Sequence, residues 1–236
     1  MTDEQRVRRD VRKVATRARA KSNQWFFKTG PGEYGEGDRF LGVSLPALRI
    51  LKRRYEGLPI RSVRRLLRSP WHEERLLALL ILTHQYARGD APARNIIYRL
   101  YLRSTSWINS WDLVDSSASQ IVGAHLADRD RRVLSHLAQS RSLWERRIAV
   151  IATFHFIKRG EYKDALAIAG FLLHDRHDLI HKAVGWMLRE IGKRNRAVEE
   201  RFLKRHAGVM PRTMLRYAIE RLPERRRRHY LTMKRT

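Results

Sequence analysis

The segment LAQSRSLWERRIA, Leu137 to Ala149, decides the fold, because two close relatives of it occur elsewhere in the chain. LRSPWHEERLLA runs from Leu67 to Ala78, and LHDRHDLIHKA from Leu173 to Ala183. Each has a leucine, a polar turn, then a basic residue just ahead of an apolar run. The residues at this register are Arg75, Trp111, Arg147 and Lys182, separated by steps of 36, 36 and 35 residues. A fixed period of this size marks stacked helix pairs, in which residues of one register line one face of the array. One helical turn beyond two of these positions stand Asp115 and Trp186.

Outward from these segments, apolar residues recur at three- and four-residue spacing, the pattern of helices with one buried side. Val63, Leu66 and Leu67 form one stripe; Leu76, Leu77, Leu79, Leu80 and Ile81 the next; Ile96, Ile97, Leu100 and Tyr101 another. Ile148, Ile151, Ala152 and His155 follow, then Ile180, Val184, Met187 and Ile191, and lastly Met214, Tyr217 and Ala218. Pro59, Ser69-Pro70, Gly89-Asp90, Ser104, Asp128, Gly160, Asp175 and Pro211 break the pattern between stripes. No stretch alternates as a strand would. The expectation is an all-α chain, a curved solenoid of HEAT-like helical hairpins with a concave face. It is read as one repeat domain over 1–236. An N-terminal helix and glycine-rich connector fill 1–45, the repeat body 46–222, and a basic tail 223–236.

Charge suggests what that face meets. The 236 residues hold 50 Lys plus Arg against 24 Asp plus Glu, a formal net charge of +26. Such an excess repels itself unless a polyanion is close, and nucleic acid releases counterions when cations of this density bind it. The basic residues are spread from Arg6 to Arg228, which points to an extended binding surface more than to an anchoring tail. Hydrophobic residues at 43% suit a folded chain, and no apolar run reaches the roughly 18 residues of a membrane span. The charged stretch Met1 to Lys21 lacks the apolar core of a secretory signal. With no cysteine, disulfides and thiolate chemistry are excluded. A soluble, cytoplasmic monomer is expected.

The strongest candidate for chemistry is SWINSWDLVDSS, Ser106 to Ser117. Trp107, Trp111 and Asp115 are spaced four apart, which on a continuous helix puts them on one face, with Asp112 close by. A lone tryptophan is core more often than ligand; Trp111 shifts that balance because its register mates are cations. His174, His177 and His181 have helical spacing for metal ligands, but no completing ligand accompanies them, so no metal site is assigned. KTGPGEYGEGD, Lys28 to Asp38, lacks the Gly-Lys-Ser/Thr of a phosphate loop and the carboxylate spacing of a calcium loop, and reads as a connector.

Five ordered segments carry a family resemblance: NQWFFKTGPGEYGEGDRFLGV (Asn23 to Val43), SWDLVDSSA (Ser110 to Ala118), LWERRIAVIATFHFIKRGE (Leu143 to Glu161), IHKAVGWMLREIGK (Ile180 to Lys193) and MPRTMLRYAIERLP (Met210 to Pro223). Together they resemble AlkD-type DNA alkylation-repair glycosylases over nearly the whole chain. The resemblance implies a HEAT-like enzyme that removes cationic alkylated purines, chiefly 7-methylguanine and 3-methyladenine, from duplex DNA. It makes Asp115 the catalytic carboxylate, Trp111 its aromatic neighbour, Arg147 the active-site arginine and Trp186 the second aromatic at the lesion. An N-terminal aromatic contact falls on Phe26 or Phe27. Lys28, Arg75, Trp107 and Lys182 complete the candidate DNA contacts.

The chemistry fits those residue types. A purine alkylated at N7 or N3 is cationic already and leaves as a neutral base without a general acid. The sugar develops oxocarbenium charge, which a fixed carboxylate stabilises and indole faces favour. Arginine suits paired phosphate oxygens. The scheme needs no metal and no cofactor. The alternative from another class is a non-catalytic DNA-binding protein for distorted or branched duplexes, which would bind tightly and release no base.

Overall fold

The computed structural model describes residues 1–233, and the described residues are helical with no strand; one isolated bridge pairs Arg39 with Trp71. The chain is all-α, as its apolar periodicity requires. Packing divides it into two compact units, Met1–Ile121 and the residues from Val122 onward.

The first unit contains α1 (Asp3–Lys13), α2 (Arg17–Phe26), α3 (Leu45–Arg54), α4 (Ile60–Leu67), α5 (His72–Arg88), α6 (Ala91–Leu102) and the short α7 (Trp111–Asp115). Its helix starts are encoded locally. Thr2 and Gln5 form a reciprocal capping box on α1, Ser44 caps α3 ahead of Pro46, and Asp90 caps α6 ahead of Pro92. Val63, Leu66 and Leu67 of α4 are wholly buried, and α4 packs on α5. Burying one such side chain contributes about 1.5–3 kcal/mol. Ile96 departs from its expected stripe: it is 55% exposed, while its neighbour Ile97 takes the inward position on α6.

The second unit contains α8 (Arg132–Ala138), α9 (Leu143–Ala152), α10 (Phe154–Lys158), α11 (Lys163–Phe171), α12 (Asp178–Gly192), α13 (Arg196–His206), α14 (Arg212–Ala218) and α15 (Glu224–Thr232). Ser142 caps α9 and Asn195 caps α13. Ile180, Val184, Met187 and Ile191 bury the inner face of α12, matching the sequence stripe. The stretch read as a basic tail is helical through α15; its last residues, 234–236, lie outside the described residues.

Helix α12 lies between α9 and α14, and Gly185 sets its distance from α14. A Cβ added there would stand 2.5 Å from the Met214 carbonyl oxygen and 2.5 Å from Tyr217 Cβ. Only a residue without a side chain lets the two backbones approach so closely. Gly185→Ala is therefore expected to cost about 1–3 kcal/mol by overpacking. Gly170→Ala on α11, where a Cβ meets nothing within 4 Å, serves as the control and loses no stability. Thermal melts of the two variants check this; equal melting temperatures would contradict the packing argument.

Candidate functional site

In the first unit, the connector after α2 is held by acids of α5. Glu73 accepts hydrogen bonds from three successive backbone amides, Leu41 at 2.8 Å, Gly42 at 2.8 Å and Val43 at 3.2 Å. Gly42 has φ 84°, and a Cβ on it would lie 2.1 Å from the Thr16 carbonyl oxygen. Glycine is required there both for the backbone conformation and for the contact with the start of α2. These bonds fix the end of the connector and with it Asp38.

Asp38 is one partner of a buried charge cluster centred on His72. Nδ1 of His72 lies 2.8 Å from Asp38 and Nε2 lies 2.8 Å from Asp112, so both ring nitrogens face carboxylates. Burial opposes a charge on this ring. Asp112 and Asp38 more than offset it and lift the His72 pKa to about 9. At neutral pH the ring is an imidazolium donating to both acids. Arg75 closes the cluster, its guanidinium reaching both Asp38 oxygens at 2.8 and 2.9 Å and the Ser69 carbonyl at 3.0 Å. Burial works against the ionised form of Asp38 as well, but His72 and Arg75 hold its carboxyl below the usual range.

Aromatic rings cover the cluster. Phe40 stacks on His72 at 4.5 Å between centroids, and Phe27 stacks on Phe40 at 5.0 Å. Trp111 stacks on Phe27 at 5.4 Å and meets Phe26 edge-on at 6.0 Å. Phe27, Phe40, His72, Trp111, Asp112 and Ser116 help line a cleft of about 290 Å³. The indole of Trp111 is thus braced by Phe27 from α2's end, while Asp112, next to it on α7, is bonded to α5.

Asp115 follows Trp111 by one turn on α7 and is half-buried. Tyr101, wholly buried, hydrogen-bonds Ser117 at 3.0 Å. Burial pushes its phenol pKa up, and the Asp115 charge adds to the shift. Trp107 does not share this helix. It belongs to a separate 3-10 turn, Thr105–Trp107, and the backbone at Ser110 is extended before α7 begins. The expected common face for Trp107, Trp111 and Asp115 therefore reduces to Trp111 and Asp115, because the helix starts only at Trp111.

In the second unit, Trp186 on α12 is half-buried; its Nε1 donates to Glu190 at 3.3 Å, and its ring lies 5.9 Å from Phe154. Burial raises the Glu190 carboxyl, but Lys193 at 2.6 Å and Arg194 at 2.9 Å outweigh it and the net shift is downward. Lys182 pairs with Asp178 at 2.8 Å. Arg147 is only 4% exposed, and its Nη1 donates to the Leu179 carbonyl at 2.5 Å, tying α9 to the first turn of α12. The histidines around this helix start serve the backbone. His177 Nδ1 accepts from the Leu179 amide at 3.2 Å, and His181 Nε2 donates to the Asp175 carbonyl at 2.5 Å. Among the described residues, no group of three His, Asp or Glu is placed to hold a metal ion.

The register residues thus take different positions. Arg75, expected at a DNA-facing register, is 3% exposed and turns its fork into the protein, since Asp38 is available there to pair with it. Arg147 is similarly internal, whereas Trp111, Lys182 and Trp186 are half-buried and Lys28 is exposed, with φ 53°. Phe26 is exposed and Phe27 lies inward, so Phe26 is the ring presented to solvent. Trp25, 84% exposed beside it, is an aromatic the sequence reading did not single out. Nor did that reading single out His72, Asp38 or Glu73. An acidic pair beside a histidine at a helix start carries no periodic signal, and the connector's partners are set by tertiary contact.

The described residues thus combine an all-helical fold with a short helix that carries an indole and a carboxylate, in a chain of formal net charge +26. The chain belongs to the DNA alkylation repair enzyme family, whose model matches residues 7–222. A solved structure described as a predicted DNA alkylation repair enzyme from Enterococcus faecalis is similar in fold, with a TM-score of 0.68 at 16% identity, covering 89% of this chain and 97% of that one. No curated protein matches the chain. No helix among the described residues is long and apolar enough to cross a membrane.

The folded state binds the His72 proton more tightly than an unfolded chain, whose histidine keeps its ordinary value near 6.5. This contribution to stability is full below pH 6.5 and is lost as pH rises through about 9. His72→Gln should accordingly be less stable than the parent at pH 6, with the gap narrowing toward pH 9.5. Melting curves across that range check it, and a gap independent of pH would mean the ring is not charged.

Proposed function

We propose that this protein is a monofunctional DNA glycosylase that excises cationic alkylated purines, 7-methylguanine and 3-methyladenine, from duplex DNA. The observation that carries the reading is the short helix α7. It presents an indole braced by stacked phenylalanines, with a half-buried carboxylate one turn further on, in a chain of net charge +26 from the DNA alkylation repair family.

Asp115 is the group set against the sugar. As the glycosidic bond lengthens, the base departs neutral and the positive charge moves to the deoxyribose, where a fixed carboxylate lowers its energy and aligns the attacking water. Trp111 offers its indole face to the same charge. Trp186 offers a further indole face to the DNA, and Arg147, internal and bonded to the Leu179 carbonyl, positions the first turn of α12. Trp25, Phe26, Lys28 and Lys182 extend the DNA-contacting surface. The reaction uses water alone as co-substrate, and the protein acts as a cytoplasmic monomer.

The test is release of free base from a duplex carrying one 7-methylguanine. Asp115→Asn should slow release by about 10²–10³-fold while duplex affinity is retained. An Asn variant as fast as the parent removes Asp115 from its role. A parent protein that binds the duplex and releases nothing supports a DNA-binding protein without excision.

A further inference from the structure

The first unit has a second groove that shares no lining residue with the cleft at Trp111. It has a volume of about 460 Å³ and runs between α4 and α6. Arg61, Arg64 and Arg68 line it from α4 and its C-terminal end, Arg99 and Arg103 from α6 and its end. Spacings of three and four residues bring each set onto one helix face. All these side chains are exposed, and none of their guanidinium groups has an acid or other hydrogen-bond partner among the described residues.

This arrangement is unusual within the same two helices. Arg65 on α4 is paired with Glu4 at 2.5 Å, and Arg94 on α6 reaches the Tyr86 carbonyl at 3.1 Å. Like charges one turn apart work against the helix that carries them. Two such rows around one groove, with no acid to relieve them, call for an anionic occupant. Ser104 adds a second sign. It also lines the groove, is wholly buried, and its hydroxyl has no hydrogen-bond partner among the described residues.

We infer that the α4–α6 groove binds backbone phosphates of a second DNA duplex, separate from the duplex met at Trp111 and Asp115. Guanidinium forks match phosphate oxygens, and paired arginine rows suit the regularly spaced anions of a duplex better than a single small ion. The protein thereby holds two DNA segments at once and can pass between them without full release. This inference rests on DNA being the partner, not on base excision.

The experiment uses the full-length protein and two short duplexes, one carrying a fluorescence donor and one an acceptor. The parent should bring them together and give energy transfer. Arg64→Ala/Arg99→Ala/Arg103→Ala should lose the transfer, and the salt dependence of second-duplex binding should fall by about one unit of slope for each arginine removed. Arg225→Ala/Arg227→Ala/Arg228→Ala on α15 removes the same charge and should keep bridging the duplexes. A parent-like melting temperature certifies the fold of the groove variant; if it melts early, Arg64→Gln/Arg99→Gln/Arg103→Gln replaces it. Equal bridging by parent and groove variant overturns the inference, as does equal loss in both triple variants. Groove-dependent binding to anionic phospholipid vesicles, with bridging unchanged, would give the groove to a membrane instead and also overturn it. Base release is measured on the same groove variant and should match the parent. A parent that bridges but releases no base would sink the glycosylase reading and leave this one standing.

Discussion

The first unit depends on a charged histidine that donates one N–H to each of two acids lying far apart in the chain. His72 joins Asp38 of the connector to Asp112 of α7, and Arg75 neutralises what remains of the Asp38 charge. Two carboxylates and two cations make a cluster with little net charge, which is why it can be buried under Phe40 and Phe27. Removing one member would leave the others as uncompensated buried charges, a far larger loss than any surface pair. The position of α7, and therefore of Trp111 and Asp115, rests on this cluster.

The same economy governs the rest of the charges. Acids are scarce in this chain, and several are placed inside or at helix junctions. Glu73 caps backbone amides, and Glu74 is wholly buried, takes a hydrogen bond from Ser69 at 2.7 Å and faces Arg8 at 3.2 Å. Asp10 binds Tyr55 at 2.7 Å and Arg54 at 2.9 Å, and Asp175 holds Arg146 at 2.6 Å. Internal arginines such as Arg75 need such partners to be buried at all. With much of the acid spent this way, rows of surface arginine are left without neutralising neighbours, as on α4 and α6. The positive surface is a by-product of how the interior is satisfied as much as of the count of cations.

The helices were legible because their information is local and periodic. Ile180, Val184, Met187 and Ile191 read as an inner face and are one; Asp90 and Ser142 cap the helices they precede. Helical register carries less information: it aligns Arg75, Trp111, Arg147 and Lys182 along the helices but does not reveal which way a long side chain finds a partner. Asp38 lies 37 residues before Arg75, and nothing in either segment announces their pairing. The spacing of Trp107 misled for a related reason: four-residue steps have meaning only on a continuous helix, and the extended backbone at Ser110 interrupts it. Aromatic stacking between Phe27 and Trp111 is equally invisible in sequence, since it is made by segments that meet only in the folded unit.

Helix α7 spans Trp111–Asp115, too short to survive alone, because a nucleated turn gains nothing until further residues propagate it. It exists only while the surrounding unit grips it. A partly folded or newly synthesised chain would still carry its arginines and their charge, but would hold neither Trp111 nor Asp115 in a fixed position. Positive charge thus needs only composition, whereas the placing of the α7 carboxylate beside its indole must wait for complete folding.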